Sequence, residues 1–128
     1  MSKEALNIIS DAMKSLGLNY AFMEFPVGAK PSYPYFVGEY QEVPLDNESG
    51  EQETQFILTG FSRETWVALE DAKEKIASQF NKVGGKTVIA DSGSAVAVFY
   101  GHSLVVPTGD AELKKIQINL TIKEWSVK

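Results

Sequence analysis

Apolar side chains recur at helical spacing in two parts of the chain. The stretch from Ser62 to Val83 places them three or four positions apart, which predicts one long amphipathic helix. Ser62 is its predicted N-cap, and the pair Gly84-Gly85 predicts its end. A second stripe predicts a first helix of about four turns, which Ser2 can cap and Gly17 can end. The two stripes are Ala5, Leu6, Ile9, Ala12, Met13 and Leu16, and Trp66, Leu69, Ala72, Ile76, Phe80 and Val83.

Strand signals fill most of the remaining sequence. The clearest is Leu113 to Trp125, in which apolar and polar residues alternate, so that one face is buried and the other wet. Gly101 to Ser103 is expected to form a bulge or a turn. The other predicted strands cover residues 19–25, 35–43, 53–61, 87–91, 95–100 and 104–106. This order predicts one α+β domain over residues 1–128, with an antiparallel or mixed sheet of about four to six strands and two helices packed on one face.

Two of the strands are apolar on both sides. In Phe56-Ile57-Leu58 and in Ala95 to Tyr100, consecutive apolar residues point to opposite faces of the sheet. Because two helices can cover only one face, something else must cover the other. Either the loops at 26–34 and 104–107 fold across it, or another subunit packs against the face or an edge.

Acidic residues are concentrated in one segment. From Pro31 to Ser62 there is no lysine or arginine, which predicts a negative protrusion on two neighbouring strands and their connection. The protrusion is either a solvated hairpin tip or a surface that meets a basic partner or lines a channel and repels a polyanion. Its carboxylates belong to Glu39, Glu42, Asp46, Glu48, Glu51 and Glu53.

Composition narrows the function classes. The chain has no cysteine and a single histidine, His102, so it offers no thiolate metal site, cysteine nucleophile or histidine pair. No cofactor, metal or catalytic residue is predicted, and the expectation is that the protein is not an enzyme. The net charge of −5 argues against general binding to a phosphate backbone. No apolar run of about 18 residues or secretion signal is seen, which predicts a protein made in the cytoplasm without membrane contact.

The order of elements resembles a known family. A first helix, a Pro-rich loop, the strand "YPYFVGEY", a long acidic connection, the segment "ETQFILTGFSRETWVALEDAKEKIASQF" and a final alternating strand resemble the tail-terminator, or tail-completion, proteins of tailed bacteriophages and prophages. The resemblance covers nearly the whole chain, and the stretch from Lys86 to Pro107 fits it least.

The resemblance implies a structural role in the virion tail. Such proteins form a ring, commonly a hexamer, that caps the tail tube and joins it to the head–tail connector. The implied partners are copies of the chain itself, the major tail tube protein and the connector, with DNA passing through without specific binding. The acidic residues from Glu39 to Glu53 would then line the lumen or dock to the tail tube.

A different class of function competes with this one. A monomeric α+β domain would bind a small molecule between its sheet and its helices. In that case Trp66, Phe80, Phe99 and Tyr100 are the residues expected to line the pocket.

Overall fold

Both predicted helices are present in a computed structural model of the chain, which describes residues 2–23, 33–43, 51–80, 86–89, 93 and 95–125. The first helix, α1, spans Lys3–Ser15, and Ser2 is its N-cap as predicted, because its hydroxyl accepts from the Ala5 amide at 3.1 Å. Gly17 ends the helix with φ +73°, a conformation that costs glycine little.

The second helix, α2, begins later than predicted. It spans Trp66–Gln79, and its N-cap is Thr65, whose hydroxyl accepts from the Ala68 amide at 3.3 Å. Ser62 is instead the last residue of a strand, and its hydroxyl accepts from the Glu64 amide at 3.0 Å. The predicted helix end at Val83 to Gly85 lies outside the described residues.

Six strands form one mixed sheet. They are β1 (Asn19–Phe22), β2 (Tyr35–Val43), β3 (Glu51–Ser62), β4 (Lys86–Ile89), β5 (Ala95–Val106) and β6 (Lys114–Trp125). Their order across the sheet is β1-β2-β3-β6-β5-β4. β1 runs parallel to β2, and the other neighbours are antiparallel. The α+β prediction is confirmed, with six strands at the upper end of the expected number.

The predicted break at Gly101 to Ser103 is a bulge within a single strand. The register between β5 and β6 shifts between Tyr100 and His102, and the strand then continues to Val106. Residues 104–106 therefore belong to the sheet, so the expectation that a loop at 104–107 folds across its face is wrong. The other loop in that expectation, 26–34, lies largely outside the described residues.

The core occupies one side of the sheet. Alternate residues of the central strands, including Phe36, Phe56 and Ile118, are fully buried together with the apolar stripes of both helices. Because the helices share one apolar cluster with a single set of alternate strand residues, both lie on the same face, as predicted.

One carboxylate closes this core at the end of β6. Glu124 follows Ile116, Ile118, Leu120 and Ile122 on the buried face and is only 8% exposed. The backbone amide of Ser2 donates to its Oε1 at 3.1 Å, and the Ser2 hydroxyl also donates to that oxygen. The start of α1 is therefore held to the last strand by a charged acceptor.

Candidate assembly surfaces

The second face of the sheet carries no helix in the part of the chain that the structure describes. Its residues are the alternate positions that the core does not take. Val37, Ile57, Phe61 and Phe99 are half-buried among polar neighbours on this side. We call this side the open face; its central positions are Tyr35, Val37, Glu39, Gln55, Ile57, Thr59, Phe61, Phe99, Gln117, Asn119, Thr121 and Lys123.

Aromatic and basic side chains interact at one end of the open face. The Tyr35 and Phe61 rings stack with centroids 5.0 Å apart, and Tyr33 lies 5.3 Å from Tyr35. The Lys115 ammonium sits 5.5 Å from the centre of the Phe61 ring, within the range of a cation–π contact. Arg63 Nε donates to the Tyr33 hydroxyl at 3.3 Å, and this hydrogen bond is the largest cause of a raised pKa at Arg63. These contacts order the surface where β2 begins and β3 ends.

The predicted acidic protrusion is divided between the two faces. Glu39 and Glu53 lie on the open face, whereas Glu42 lies on the face that the helices cover, and Glu39 and Glu42 are exposed. Lys123 of β6 is the cross-strand neighbour of Glu53, so a cation that is distant in sequence lies beside this acid. Asp46 and Glu48 lie outside the described residues, and the side chain of Glu51 does too.

The two outermost strands, β1 and β4, are short, and each pairs with only part of the longer strand beside it. β1 pairs with residues 35–38 of β2, and β4 pairs with residues 95–98 of β5. Just beyond these pairings, the Met23 amide donates to the Gly38 carbonyl at 2.7 Å and the Tyr100 amide donates to the Phe80 carbonyl at 2.8 Å. Among the described residues, 39–43 and 102–106 then have a strand neighbour on one side only. We call them the β2 edge segment and the β5 edge segment.

Exposed apolar side chains gather at the same two places. Phe22, Met23 and, within the β2 edge segment, Tyr40 are exposed, and the Phe22 and Tyr40 rings stack with centroids 5.9 Å apart. Leu104 and Val105 of the β5 edge segment are exposed, as is Trp66 at the start of α2. Trp66 and Val105 also line one shallow groove. Apolar groups beside unpaired strand edges are typical of surfaces that bind another chain. The sequence pattern of β5 does not predict the β5 edge segment, because which strand lies at an edge depends on the topology of the sheet.

The aromatic residues expected to form a small-molecule pocket do not come together. Phe80 is fully buried in the core, whereas Trp66 is 42% exposed at the start of α2. Phe99 lies opposite Thr121 on the open face, and Tyr100 lies on the other side of the sheet. That expectation is therefore wrong: the four side chains cannot line one pocket.

His102 lies on the open face. Its Nε2 is 2.9 Å from Asn119 Nδ2, and it is exposed. The adjacent Ser103 faces the other side of the sheet, opposite Ile118, so the two side chains are not positioned as a nucleophile and base. Among the residues that the structure describes, no group of three or more acidic or histidine side chains is arranged to hold a metal ion. Within the same residues, none of the helices combines the length and apolar character needed to cross a membrane.

The fold defines the chain as an α+β protein with a mixed six-stranded sheet and helices on one face. No protein-family model matches the sequence, and no curated protein matches it. Among solved structures, it is similar to a chain of "Virion of native gene transfer agent (GTA) particle", with a TM-score of 0.64 and 9% sequence identity. The match covers 88% of this chain and 83% of that chain. At this identity the likeness shows a shared fold.

Proposed function

We propose that the protein is a structural component of a phage-like virion, in which it forms an oligomeric ring that caps the tail tube and joins it to the head–tail connector. The observation that carries the proposal is a fold similar to that of a chain in a gene transfer agent virion, matched over most of both chains. The open face and the two edge segments support it, because they are surfaces suited to contact with other subunits.

In this proposal the protein acts by shape and stoichiometry, without catalysis. A ring seated on the end of the tube covers the surfaces to which further tube subunits would add, so polymerisation stops. DNA passes through the ring without specific binding, consistent with a net charge of −5. The acidic residues from Glu39 to Glu53 either line this passage or dock to the tail tube protein.

Cosedimentation with isolated tail tubes tests the proposal. The full chain should pellet with the tubes and stay in the supernatant without them. If it never pellets with the tubes and never associates with itself, the proposed function is wrong.

The same assay separates the two roles of the acidic connection. Deleting residues 46–51 would remove Glu51, the first residue of β3, which pairs with Trp125. A better variant is therefore Asp46→Asn with Glu48→Gln. If these acids dock to the tube, this variant should pellet less while its circular dichroism stays unchanged; undiminished pelleting would favour the lumen. The matched control, Glu4→Gln with Asp11→Asn, removes two charges from the exposed side of α1 and should pellet normally.

A further inference from the structure

We propose that neighbouring copies of the chain join by antiparallel strand pairing, in which the β2 edge segment of one copy adds to the β5 edge segment of the next. The inference rests on the proposed self-assembly and names its contact. Each segment is five residues long, and each has a described strand neighbour on one side only. An unpaired strand edge presents backbone donors and acceptors that another strand satisfies.

The directions of the two strands suit this pairing. β2 is antiparallel to β3, β3 to β6, and β6 to β5, so β2 and β5 run in opposite directions within one sheet. Two copies placed side by side in the same orientation therefore bring these strands together as antiparallel neighbours. The contact uses two different surfaces, so it is head-to-tail and can close into a ring.

The backbone groups fix a register. Gly38 directs its carbonyl away from β3 toward Met23, and the same orientation recurs at Tyr40 and Glu42. The Tyr100 amide points away from β6. The bulge at Gly101 shifts the alternation by one residue, so that beyond it the backbone groups of Ser103 and Val105 point away from β6. Pairing Tyr40 with Val105 matches the directions of both sets of backbone groups, and it places Glu42 opposite Ser103. It also keeps the open faces of the two copies on the same side, with Gln41 opposite Leu104.

The outlines of the two edges are complementary in this register. β1 occupies the lower part of one edge and β4 the upper part of the other, so the joined segments meet where no strand of the described part of the chain pairs with either edge. Across the sheet of one copy, Gln41 is level with Thr121 of β6, and Leu104 is level with Gln117 of β6. These two positions on β6 are four residues apart. Pairing Gln41 with Leu104 therefore offsets neighbouring copies by about 14 Å along the strands. From β2 of one copy to β2 of the next there are four strand spacings, which is a lateral step of about 19 Å. The strands would therefore incline by roughly 35° to the ring axis, close to the tilt found in closed barrels.

Side-chain chemistry favours the same contact. Tyr40 and Val105, which would face each other, are 39% and 57% exposed in the single chain. Stacking of Phe22 on Tyr40 and the groove shared by Trp66 and Val105 extend both apolar surfaces. On the open face the β2 edge segment carries the acid Glu39, whereas the β5 edge segment has no acid, and Val106, which would lie opposite Glu39, has the cation Lys115 as its neighbour on β6. An apolar contact with opposite charges at its margin is typical of specific interfaces.

Disulfide trapping tests the register, because the native chain has no cysteine. In the proposed pairing, Gln41 and Leu104 form a non-hydrogen-bonded pair with Cα atoms about 4.5 Å apart, which suits a disulfide. Within one chain the two positions are separated by three strand spacings and by four residues along the strands, about 20 Å in all, so any disulfide must join two copies. The variant Gln41→Cys with Leu104→Cys, oxidised at a concentration where light scattering shows association, should give a ladder of linked chains on non-reducing gels. The control Gln41→Cys with Val105→Cys places the second thiol on the opposite face and should give about tenfold less product.

Each result decides the inference. A ladder from the first variant, little product from the control and none from either single variant would support the pairing. Linked dimers from Leu104→Cys alone would show pairing between two β5 edges and overturn it. Association by light scattering without the expected ladder would overturn the named contact and leave the proposed function standing. A chain that shows neither association nor cross-links, and that fails to pellet with tail tubes, would overturn both.

Discussion

The contact between Gly60 and Phe36 gives a sharp prediction about the core. These residues lie opposite each other on β3 and β2, on the face that the helices cover. A Cβ atom added at Gly60 would lie 2.5 Å from Phe36 Cε1 and 3.0 Å from Cδ1 and Cζ. Ordinary contacts begin near 3.4 Å, so the Phe36 ring would have to move, and it is fully buried.

The expected cost of Gly60→Ala follows from two opposing effects. Overpacking a filled core costs about 1–3 kcal/mol, whereas replacing glycine in a strand gains about 0.5–1 kcal/mol through the unfolded chain. The net loss should therefore be about 1–2 kcal/mol in the free energy of unfolding. For a domain of this size that corresponds to a fall of about 3–8 °C in Tm.

Urea denaturation, followed by tryptophan fluorescence, measures this loss. Phe36→Leu provides the matched test, since the smaller side chain leaves room for the added methyl group. The double variant should lose less stability than the sum of the two single losses, with a coupling of about 1 kcal/mol. If Gly60→Ala is as stable as the parent protein, or if the two losses simply add, the proposed contact does not constrain this site.

Three further predictions concern other parts of the fold. Glu124→Ala should lower stability in chemical denaturation by about 1–3 kcal/mol, because two donors of Ser2 lose their acceptor, whereas Glu124→Gln should cost less; equal losses would contradict this. Burial raises the pKa of Tyr20 to about 12, so above about pH 10 the unfolded chain loses this proton first and stability should fall as pH rises. Tyr20→Phe should reduce that fall in stability measured across the alkaline range, and an unchanged slope would exclude the cause. In Gly17→Ala the added methyl group should meet no other atom, but the positive φ should cost about 1 kcal/mol in the free energy of unfolding. Thermal denaturation should therefore show a lower Tm, and an unchanged Tm would show that the helix end relaxes.

The sequence pattern predicts the elements of this fold better than their ends. Leu113 to Trp125 alternates so regularly that both its strand conformation and its buried face follow from the period alone, and β6 has these properties. The pattern places the start of α2 too early, because Ser62 and Thr65 are both good caps. Pairing of β3 with β6 extends through Ser62, and this tertiary interaction selects Thr65.

The charged sites show the same limit. Simple alternation places Glu124 on the apolar side of β6. The residue that donates to it, Ser2, lies at the other end of the sequence, so the pattern of β6 alone does not predict this hydrogen bond. Lys123 stands beside Glu53 only because β6 is the neighbour of β3, a fact of topology that the acidic segment alone does not contain. The edge segments depend likewise on where β1 and β4 stop pairing.

Tail length in particles made without the protein tests the central claim most directly. The reading frame would be deleted from the genome that encodes it, and the tails measured by electron microscopy, with the intact gene supplied in trans as the control. A ring that caps the tube should leave, when absent, tubes of uncontrolled length that are not joined to heads. Complete particles with tails of normal length would contradict the proposed function.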